Sequence, residues 1–398
     1  MKNIAIFCDG TWQQLDQPWP TNVAKLARAV EPRDADGEDQ VVYYDDGVGV
    51  SAGVLDAATH LIGGALGKGL DYKIVRAYEF LCLNYEPGDR VFIFGFSRGA
   101  YTARSLGGLI RLTWIIKREE AGSAFEAMSF YRSTPPPDAT AAVKAQFQAD
   151  VDAFKLAHSH PADVFTDVKA YDRTDPGSLS PDDKKRAWLQ YVGVWETVGS
   201  LGIPANLLFA KELDQQYRFY NTDLSRFVRS ARHAVAIDER RKTFSPTLWT
   251  NIAVLNANAS ADGMAYEERP YQQQWFPGTH GLVGGGIQDG GLSLVPMLWI
   301  AEGASRAGLA FDLGQLQDYA AHAHPDVPMP KDGFSLGEFM MELDGVADRD
   351  GPTDFAEVSL SARLRWAALP AYRPKPLQRL RIELGGWQAP ANPRFYQP

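Results

Sequence analysis

The feature that most restricts the fold is an apolar run that ends in a glycine-flanked serine and passes at once into a helical pattern. The run covers residues 91–95, and residues 95–99 read Gly-Phe-Ser-Arg-Gly. A strand and a helix can approach this closely only where side chains are absent, so Gly95 and Gly99 suit a sharp strand-to-helix turn. A run that is apolar on both faces is typical of a central strand in a parallel sheet covered by helices.

Strand-like and helix-like segments alternate on both sides of this turn. Helical patterns cover residues 21–30, 72–85 and 293–307, the first with Thr21 or Asn22 as its cap. The alternation predicts the α/β class with an α/β-hydrolase fold, in which helices cover both faces of a mainly parallel central sheet. Functional residues in such folds lie at the carboxyl ends of the strands. The other predicted strands are residues 4–8, 41–44, 189–194, 233–237 and one that ends at 275–276.

One central region interrupts the alternation. Residues 117–185 are polar and alanine-rich with several prolines, and they predict an inserted helical cap. The hydrolase core then comprises residues 1–116 and 186–325. Residues 326–398 are proline-rich, so we expect a C-terminal extension that packs on the core and is irregular apart from a helical stretch near 336–343.

The composition excludes several classes of function. Hydrophobic residues make up 45% of the chain and charged residues 22%, which is typical of a soluble protein with a packed interior. The net charge of -9, without a long Lys/Arg run, argues against nucleic acid as a partner. No stretch approaches the roughly 18 apolar residues of a transmembrane segment, and the N-terminus lacks a signal-peptide pattern. We therefore expect synthesis as a cytoplasmic protein, with export by a signal-independent secretion system left open.

The sequence indicates neither a cofactor nor a disulfide scaffold. Cys8 and Cys82 are the only cysteines, and both lie in apolar segments. Asp9, Asp45 and Asp46 follow two predicted strands and could meet around a divalent ion, although carboxylates in such loops are also ordinary turn residues. Dependence on a divalent ion is left open.

Residues 95–99 also fit the pattern G-x-S-x-G of serine hydrolases. In that motif the serine stands on a strained turn, and the backbone N–H of the next residue helps to hold the oxyanion. Ser97 is therefore the candidate nucleophile, and Arg98 is a candidate oxyanion-hole donor. A pattern with three fixed positions also arises by chance, but the apolar strand before it and the small residues after it favour the functional interpretation.

A serine hydroxyl needs an imidazole to take its proton and a carboxylate to orient that imidazole, in the chain order serine, acid, histidine. His280 lies in a loop after a late predicted strand, with glycines at 284–286, and is the candidate base. His233 lies within an apolar run and is expected in the core. The other histidines after Ser97 lie in polar segments and are expected at the surface; they are His158, His160, His322 and His324.

Glu196 is the leading candidate for the acid because it directly follows a predicted strand at the right place in the chain order. A glutamate in this position could instead cap the next helix or pair with an arginine. Asp238 also follows an apolar run, and Asp289 is a further candidate. Spacing alone does not separate the three carboxylates.

The loop after the first predicted strand reads Asp9-Gly10-Thr11 and should end near the centre of the sheet. Backbone N–H groups of Gly10 or Thr11 could supply the second oxyanion-hole donor. An alternative is a phosphatase with Asp9 as nucleophile. That chemistry normally uses a second aspartate two residues earlier, and this chain has Phe7 there.

Four ordered motifs resemble those of one known family. They lie at residues 9–12, 95–104, 193–199 and 275–280, and the resemblance continues to about residue 307. The family is DUF2235, whose better-known members are type VI secretion lipase effectors of the Tle1 kind. Its members are α/β hydrolases with a Ser-Asp-His triad, and the effectors cleave phospholipid acyl esters.

The resemblance implies Ser97 as nucleophile, Glu196 as acid and His280 as base, with phospholipid as substrate. Peripheral membrane contact and an immunity or secretion partner are left open. The chain departs from the family at two places. The family usually has aspartate where this chain has Glu196, and it usually has Ser-Asp where this chain has Gly281 and Leu282.

The residues and the resemblance together predict a serine carboxylic-ester hydrolase that acts on lipid or phospholipid. One alternative is a stand-alone intracellular esterase for small soluble esters. Another is a degenerate hydrolase that serves as a binding module. Aromatic residues in and near the cap could line an acyl groove or simply pack the cap on the core; they are Trp114, Phe125, Phe130 and Tyr131.

Overall fold

The computed structural model covers most of the chain. Thr11, Asp289, the predicted cap from residue 161 onward and the helical stretch predicted near 336–343 lie outside the described residues. The structure describes residues 1–10, 13–47, 65–160, 189–199, 223–225, 227–261, 263–288, 291–329 and 345–396.

The described residues form a central sheet of six strands in which all neighbouring strands run parallel. Its strands are β1 (Asn3–Cys8), β2 (Gln40–Asp45), β3 (Arg90–Phe96), β4 (Leu189–Trp195), β5 (Val228–Ala236) and β6 (Tyr271–Phe276). The predicted parallel α/β sheet is therefore confirmed. The strand order is β2-β1-β3-β4-β5-β6. After β1 the chain forms β2 on one side of it and then crosses to form β3 on the other side, so the direction of winding reverses at β1. Ligands of open α/β sheets bind at the carboxyl ends of the strands beside such a reversal.

Helices connect and cover these strands. They are α1 (Asn22–Ala29), α2 (Ala65–Asn84), α3 (Arg98–Thr113), α4 (Ala124–Arg132), α5 (Ala141–His158), α6 (Ile252–Asn258), α7 (His280–Gly284), α8 (Leu294–Arg306), α9 (Leu313–Ala321), α10 (Leu360–Ala368) and α11 (Arg381–Gly386). Thr21 caps α1 as predicted, since its hydroxyl accepts the N–H of Ala24 at 3.1 Å.

The core lies on both faces of the sheet because successive side chains of a strand point to opposite faces. In β1, Ile4 and Ile6 join the apolar cluster under α2 and α3, whereas Ala5 and Phe7 join the cluster under α1 and α8. All of these side chains have an exposed fraction of 0%. Burial of each large apolar side chain contributes about 1.5–3 kcal/mol to the free energy of folding. Because both faces of β1 are covered, an apolar residue is favoured at every position of this strand.

The region predicted as a cap begins with α4 and α5. The rings of Phe130 and Phe154 lie 5.4 Å apart, and both side chains pack on the core cluster. Trp114 is 9% exposed and Tyr131 packs against the same cluster, while Phe125 is 56% exposed. Core packing therefore accounts for Trp114, Phe130 and Tyr131.

The prediction that the chain beyond residue 325 is irregular is wrong for the part around α10 and α11. Ser359 caps α10, since its hydroxyl accepts the N–H of Ala362 at 3.2 Å. Trp366 and Leu377 form an apolar cluster with Trp275 at the β6 edge of the sheet. These helices are too short for their periodicity to be recognised among the prolines, and tertiary contact stabilises them.

Among the described helices, none combines the length and hydropathy that a membrane crossing requires.

Candidate active site

Ser97 stands on the predicted turn between β3 and α3. Its backbone has φ 57° and ψ -121°, a conformation that a non-glycine residue adopts only where its surroundings enforce it. A Cβ on Gly95 would lie 2.3 Å from the carbonyl oxygen of Gly99, and one on Gly99 would lie 2.1 Å from that of Cys8. Both positions therefore require glycine. The turn presents the Ser97 side chain at the carboxyl edge of the sheet.

Three side chains form a hydrogen-bonded series at this edge. Oγ of Ser97 lies 2.8 Å from Nε2 of His280, and Nδ1 of His280 lies 2.9 Å from Oε2 of Glu196. A carboxylate only accepts, so Nδ1–H donates to Glu196, and Nε2 is left to accept the serine hydroxyl. Ser97 and Glu196 directly follow β3 and β4, and His280 is the first residue of α7. All three are buried, at 5%, 0% and 7% exposed for Ser97, Glu196 and His280. This arrangement can move a proton away from a serine hydroxyl.

Glu196 is held from three sides. Its Oε1 accepts the N–H of Ala236 at 2.6 Å, and Arg349 binds both carboxylate oxygens, Nη1 to Oε1 at 2.8 Å and Nη2 to Oε2 at 2.9 Å. Burial by itself raises the pKa of this carboxyl, but the Arg349 guanidinium and the His280 imidazole outweigh burial and hold the pKa well below its usual range. Glu196 is therefore ionised and oriented beside the imidazole.

His280 lies between two aromatic rings. The ring of Phe244 stacks on the imidazole with the centroids 4.3 Å apart. The ring of Phe96 is tilted relative to the imidazole, with the centroids 4.8 Å apart. The backbone N–H of His280 donates to Glu239 at 3.1 Å, and Glu239 in turn pairs with Arg241 at 2.6 Å. Burial lowers the pKa of His280, against the opposing effect of the two carboxylates. The imidazole is therefore kept neutral, the form in which it acts as a base.

Asp238, the alternative acid that the structure describes, bonds to groups other than the imidazole. Asp238 accepts the N–H of Gly278 at 2.7 Å and the hydroxyl of Tyr372 at 2.9 Å. Burial raises the pKa of Asp238 to about 6. Asp289 lies outside the described residues. Of the two described carboxylates that spacing left open, Glu196 reaches His280 and Asp238 joins the β6 loop to the C-terminal extension.

Of the candidate oxyanion donors, Arg98 directly follows the serine. Arg98 is the first residue of α3, at the positive end of the helix. A Cβ on Gly10 would lie 2.9 Å from the ring of Phe96, which places this glycine next to the site. The N–H of Gly10 donates to Oδ1 of Asp9 at 2.6 Å. Thr11 lies outside the described residues.

Asp9 is buried, and both of its carboxylate oxygens accept hydrogen bonds. Its Oδ2 accepts the hydroxyls of Thr21 and Tyr44, both at 2.6 Å. Burial raises the pKa of Asp9 to about 6. Asp45 instead pairs with Lys73 at 2.8 Å, and the described residues contain no group of three or more His, Cys, Asp or Glu side chains placed to hold a metal ion.

His233 lies in the core as predicted, buried within β5. Its Nδ1 is 3.0 Å from Oε1 of Gln273, and burial lowers its pKa to about 3. The prediction of surface positions holds for His322 and His324, which are exposed, and is wrong for His158 and His160, which are half-buried. His158 pairs with Glu120 at 2.9 Å.

Glu239, Phe244 and Arg349 contact the site but carry no motif. Arg349 lies in a charged, glycine-flanked stretch that is typical of a solvated loop. Nothing in the local pattern distinguishes these residues from surface residues, because their contacts are with segments far away in the chain. The pairing of Arg349 with Glu196 can be recognised only when the fold is known, because the two residues are far apart in the chain.

A comparison with known protein families places these motifs in one of them. The family described as the catalytic domain of type VI secretion system phospholipase effectors of the Tle1-like kind matches residues 2–303. The chain belongs to this Tle1-like family. Ser97, Glu196 and His280 lie within the match, whereas Arg349 lies beyond its end. Leu282, where the Tle1-like motif was expected to carry an acidic residue, is buried at 1% exposed and packs on Gly278.

Individual relatives of this Tle1-like chain are distant and longer. An uncharacterized protein of Saccharomyces cerevisiae is 28% identical over 260 residues, which cover 63% of this chain and 33% of the yeast protein. The crystal structure of an uncharacterized protein from Pseudomonas aeruginosa aligns with 98% of this chain and 55% of its own, at 16% identity and a TM-score of 0.45. The structure of a Tle1 effector bound to the VgrG spike of the type 6 secretion system aligns with 73% of this chain and 52% of its own, at 17% identity and a TM-score of 0.36. The chain spans a third of the yeast relative and about half of each solved chain.

Proposed function

We propose that this protein hydrolyses acyl esters of lipids, with phospholipids as the main substrates, through Ser97 as nucleophile, His280 as general base and Glu196 as the acid of the triad. The continuous hydrogen-bonded series from the serine Oγ through the imidazole to the carboxylate carries this proposal. Membership of a phospholipase effector family supports the lipid substrate.

In the proposed reaction, the Ser97 Oγ attacks the ester carbonyl carbon while Nε2 of His280 takes the hydroxyl proton. The imidazolium returns this proton to the leaving alcohol, and an acyl-serine remains. Water, deprotonated by the same nitrogen, then releases the fatty acid and restores Ser97. Glu196 stabilises the imidazolium in both steps without itself taking the proton.

The oxyanion of the tetrahedral intermediate needs backbone donors. The N–H of Arg98 is the first proposed donor because it opens α3 beside the serine. The second is assigned to Gly10 or Thr11. For Gly10 to serve, its N–H would have to leave Oδ1 of Asp9, which accepts it in the resting structure.

The serine assignment is tested with a fluorophosphonate probe, which reacts only with an activated serine. The wild type is expected to be labelled, and Ser97→Ala should lose labelling and at least about a thousand-fold of the esterase rate. Ser105→Ala is a matched control, since Ser105 is also buried and lies in α3, the helix that follows Ser97. Labelling of a folded Ser97→Ala protein would contradict the assignment, and an unlabelled wild type would favour a binding module.

The substrate is tested on the wild type with phospholipid vesicles and with p-nitrophenyl butyrate. The proposal predicts a higher kcat/KM for long-chain phospholipid than for the short soluble ester, because remote binding energy lowers the barrier only for the substrate that the site fits. The reverse preference would favour a small-molecule esterase instead.

We also propose export through a type VI secretion system, a route that needs no cleaved signal, because the matched family consists of effectors of that system. A VgrG-type spike protein is then the proposed secretion partner. Co-purification of the full chain with the spike protein from the same organism tests this, and no complex at micromolar concentrations would count against it.

A further inference from the structure

The chain beyond the family match returns to the active site. The backbone of residues 345–347 pairs with the loop after β5, since the N–H of Ala347 donates to the carbonyl of Arg240 at 2.8 Å and that of Lys242 to the carbonyl of Gly345 at 3.2 Å. Asp348 adds an ion pair with Arg240 at 3.0 Å. These contacts fix the segment just before Arg349.

The Arg349 guanidinium is buried at 6% side-chain exposure and uses its two terminal nitrogens completely. Each nitrogen donates once to Glu196, and each donates once more to a backbone carbonyl, Nη1 to Ala236 and Nη2 to Phe244, both at 2.7 Å. The same side chain therefore ties the carboxylate to β5 and to the residue that stacks on His280. Lysine could not reproduce this planar, four-bond arrangement.

Charges of both signs face the buried imidazole. Glu196 bonds its Nδ1, Glu239 bonds its backbone, Arg241 pairs with Glu239, and Arg349 pairs with Glu196. Each carboxylate thus has a guanidinium partner. Loss of one guanidinium would leave an uncompensated negative charge beside His280.

We propose that Arg349 is a positioning residue for the triad, which holds the Glu196 carboxylate in the orientation that the imidazole requires and balances its charge. The inference rests on the proposed function. A glutamate has one more rotatable bond than an aspartate, so a two-point clamp removes freedom that would otherwise misplace the carboxylate. The C-terminal extension thereby completes the catalytic machinery.

The test is the second-order rate of fluorophosphonate labelling at Ser97, measured from pH 5 to 9 for the full-length wild type, R349Q and R349K. This rate reports the reactivity of the serine whatever the natural substrate is. R365Q is the matched control, because Arg365 is another buried arginine of the C-terminal extension, bonded to the carbonyls of Pro325 and Val327. Thermal unfolding is recorded for every variant.

R349Q is expected to react about 10–100-fold more slowly, with the acid limb of its pH profile about one pH unit higher than in the wild type. Both consequences of losing the cation act in this direction, since protonation of His280 and protonation of Glu196 each become easier. R349K should keep the wild-type acid limb, because it keeps the charge, and still react about 10-fold more slowly, because it cannot form the clamp. R365Q should match the wild type in both respects.

A folded R349Q with the rate and acid limb of the wild type would overturn the inference. If R349Q does not fold, R349K decides, and a wild-type rate in R349K would overturn it. Loss of the fold in both Arg349 variants beside a folded R365Q would also overturn it, since Arg349 would then serve the fold alone. A wild type that is not labelled would defeat the proposed function as well, whereas a reactive wild type with unaffected Arg349 variants defeats only this inference.

Discussion

At the scale of single residues, Glu196 combines an unfavourable backbone with a fully bonded side chain. Its φ of 49° lies in the left-handed region, which costs a non-glycine residue about 1–2 kcal/mol. The conformation persists because its N–H donates to Ala234 at 2.9 Å while its carboxylate binds Ala236, His280 and Arg349. Strain of this kind at a buried charge is typical of a functional site.

Glu196→Gln is expected to lower kcat/KM for a p-nitrophenyl ester by about a thousand-fold, because an amide cannot stabilise the imidazolium. It should also lower the free energy of unfolding by about 3 kcal/mol, since Arg349 loses its buried partner. Kinetics and urea denaturation of the same preparation measure the two effects. Glu302→Gln, at a glutamate that pairs with Arg232 outside the site, should keep the wild-type kcat/KM, and a near-wild-type rate in Glu196→Gln would rule out the assigned acid.

At the scale of secondary structure elements, the site depends on the close contact of β1, β3 and α3. The helix begins immediately after Ser97, and its second residue, Gly99, touches the last peptide groups of β1. The strands and the helix can lie this close because Gly95 and Gly99 have no side chains. The geometry of the Ser97 turn is therefore coupled to the packing of the central strands.

Gly99→Ala is expected to destabilise the protein by about 3 kcal/mol and to abolish labelling of Ser97, because the added methyl meets the rigid carbonyl of Cys8. Gly122→Ala is the matched control, since nothing lies within 4 Å of a Cβ at that position. Urea denaturation compares the two variants. Equal midpoints for Gly99→Ala and Gly122→Ala would show that the turn can relax around the methyl group.

At the scale of the whole molecule, the C-terminal extension and the core share buried polar contacts as well as an apolar cluster. Arg349 reaches Glu196 at the end of β4, and Tyr372 donates to Asp238 after β5. Trp366 and Leu377 pack beside Trp275 of β6. Unfolding of the extension would therefore expose apolar surface and would also remove Arg349 from Glu196 and Tyr372 from Asp238.

The raised pKa of Asp238 predicts how the free energy of unfolding changes with pH. Burial raises its pKa from 3.8 to about 6, so the folded protein retains a proton that the unfolded chain releases. Its contribution is fully present below about pH 4 and is lost as the pH rises through about 6. Asp238→Asn removes this dependence, so its stability relative to the wild type should improve by about 2–3 kcal/mol between pH 4 and pH 7. Urea denaturation across this range measures the difference, and a gap that is constant with pH would contradict the expectation.

The sequence by itself determined the features that depend on neighbouring residues. The apolar runs located β1 to β4 and the second half of β5, and the glycines at 95 and 99 located the turn that carries Ser97. His280 was singled out because a glycine-rich loop follows a late strand, and each of these signals lies within about ten residues of chain.

Only the tertiary structure separates Glu196 from Asp238, by bringing Glu196 to His280, and it also brings in Arg349. The two carboxylates have equivalent local settings, each just after a buried strand, and their difference lies in which one faces the imidazole 84 residues from Glu196 in the chain. Arg349 contacts a carboxylate 153 residues away, from a stretch that resembles an ordinary surface loop. Such pairings depend on strand order and on where the extension packs, which short-range patterns of hydrophobicity and glycine do not encode.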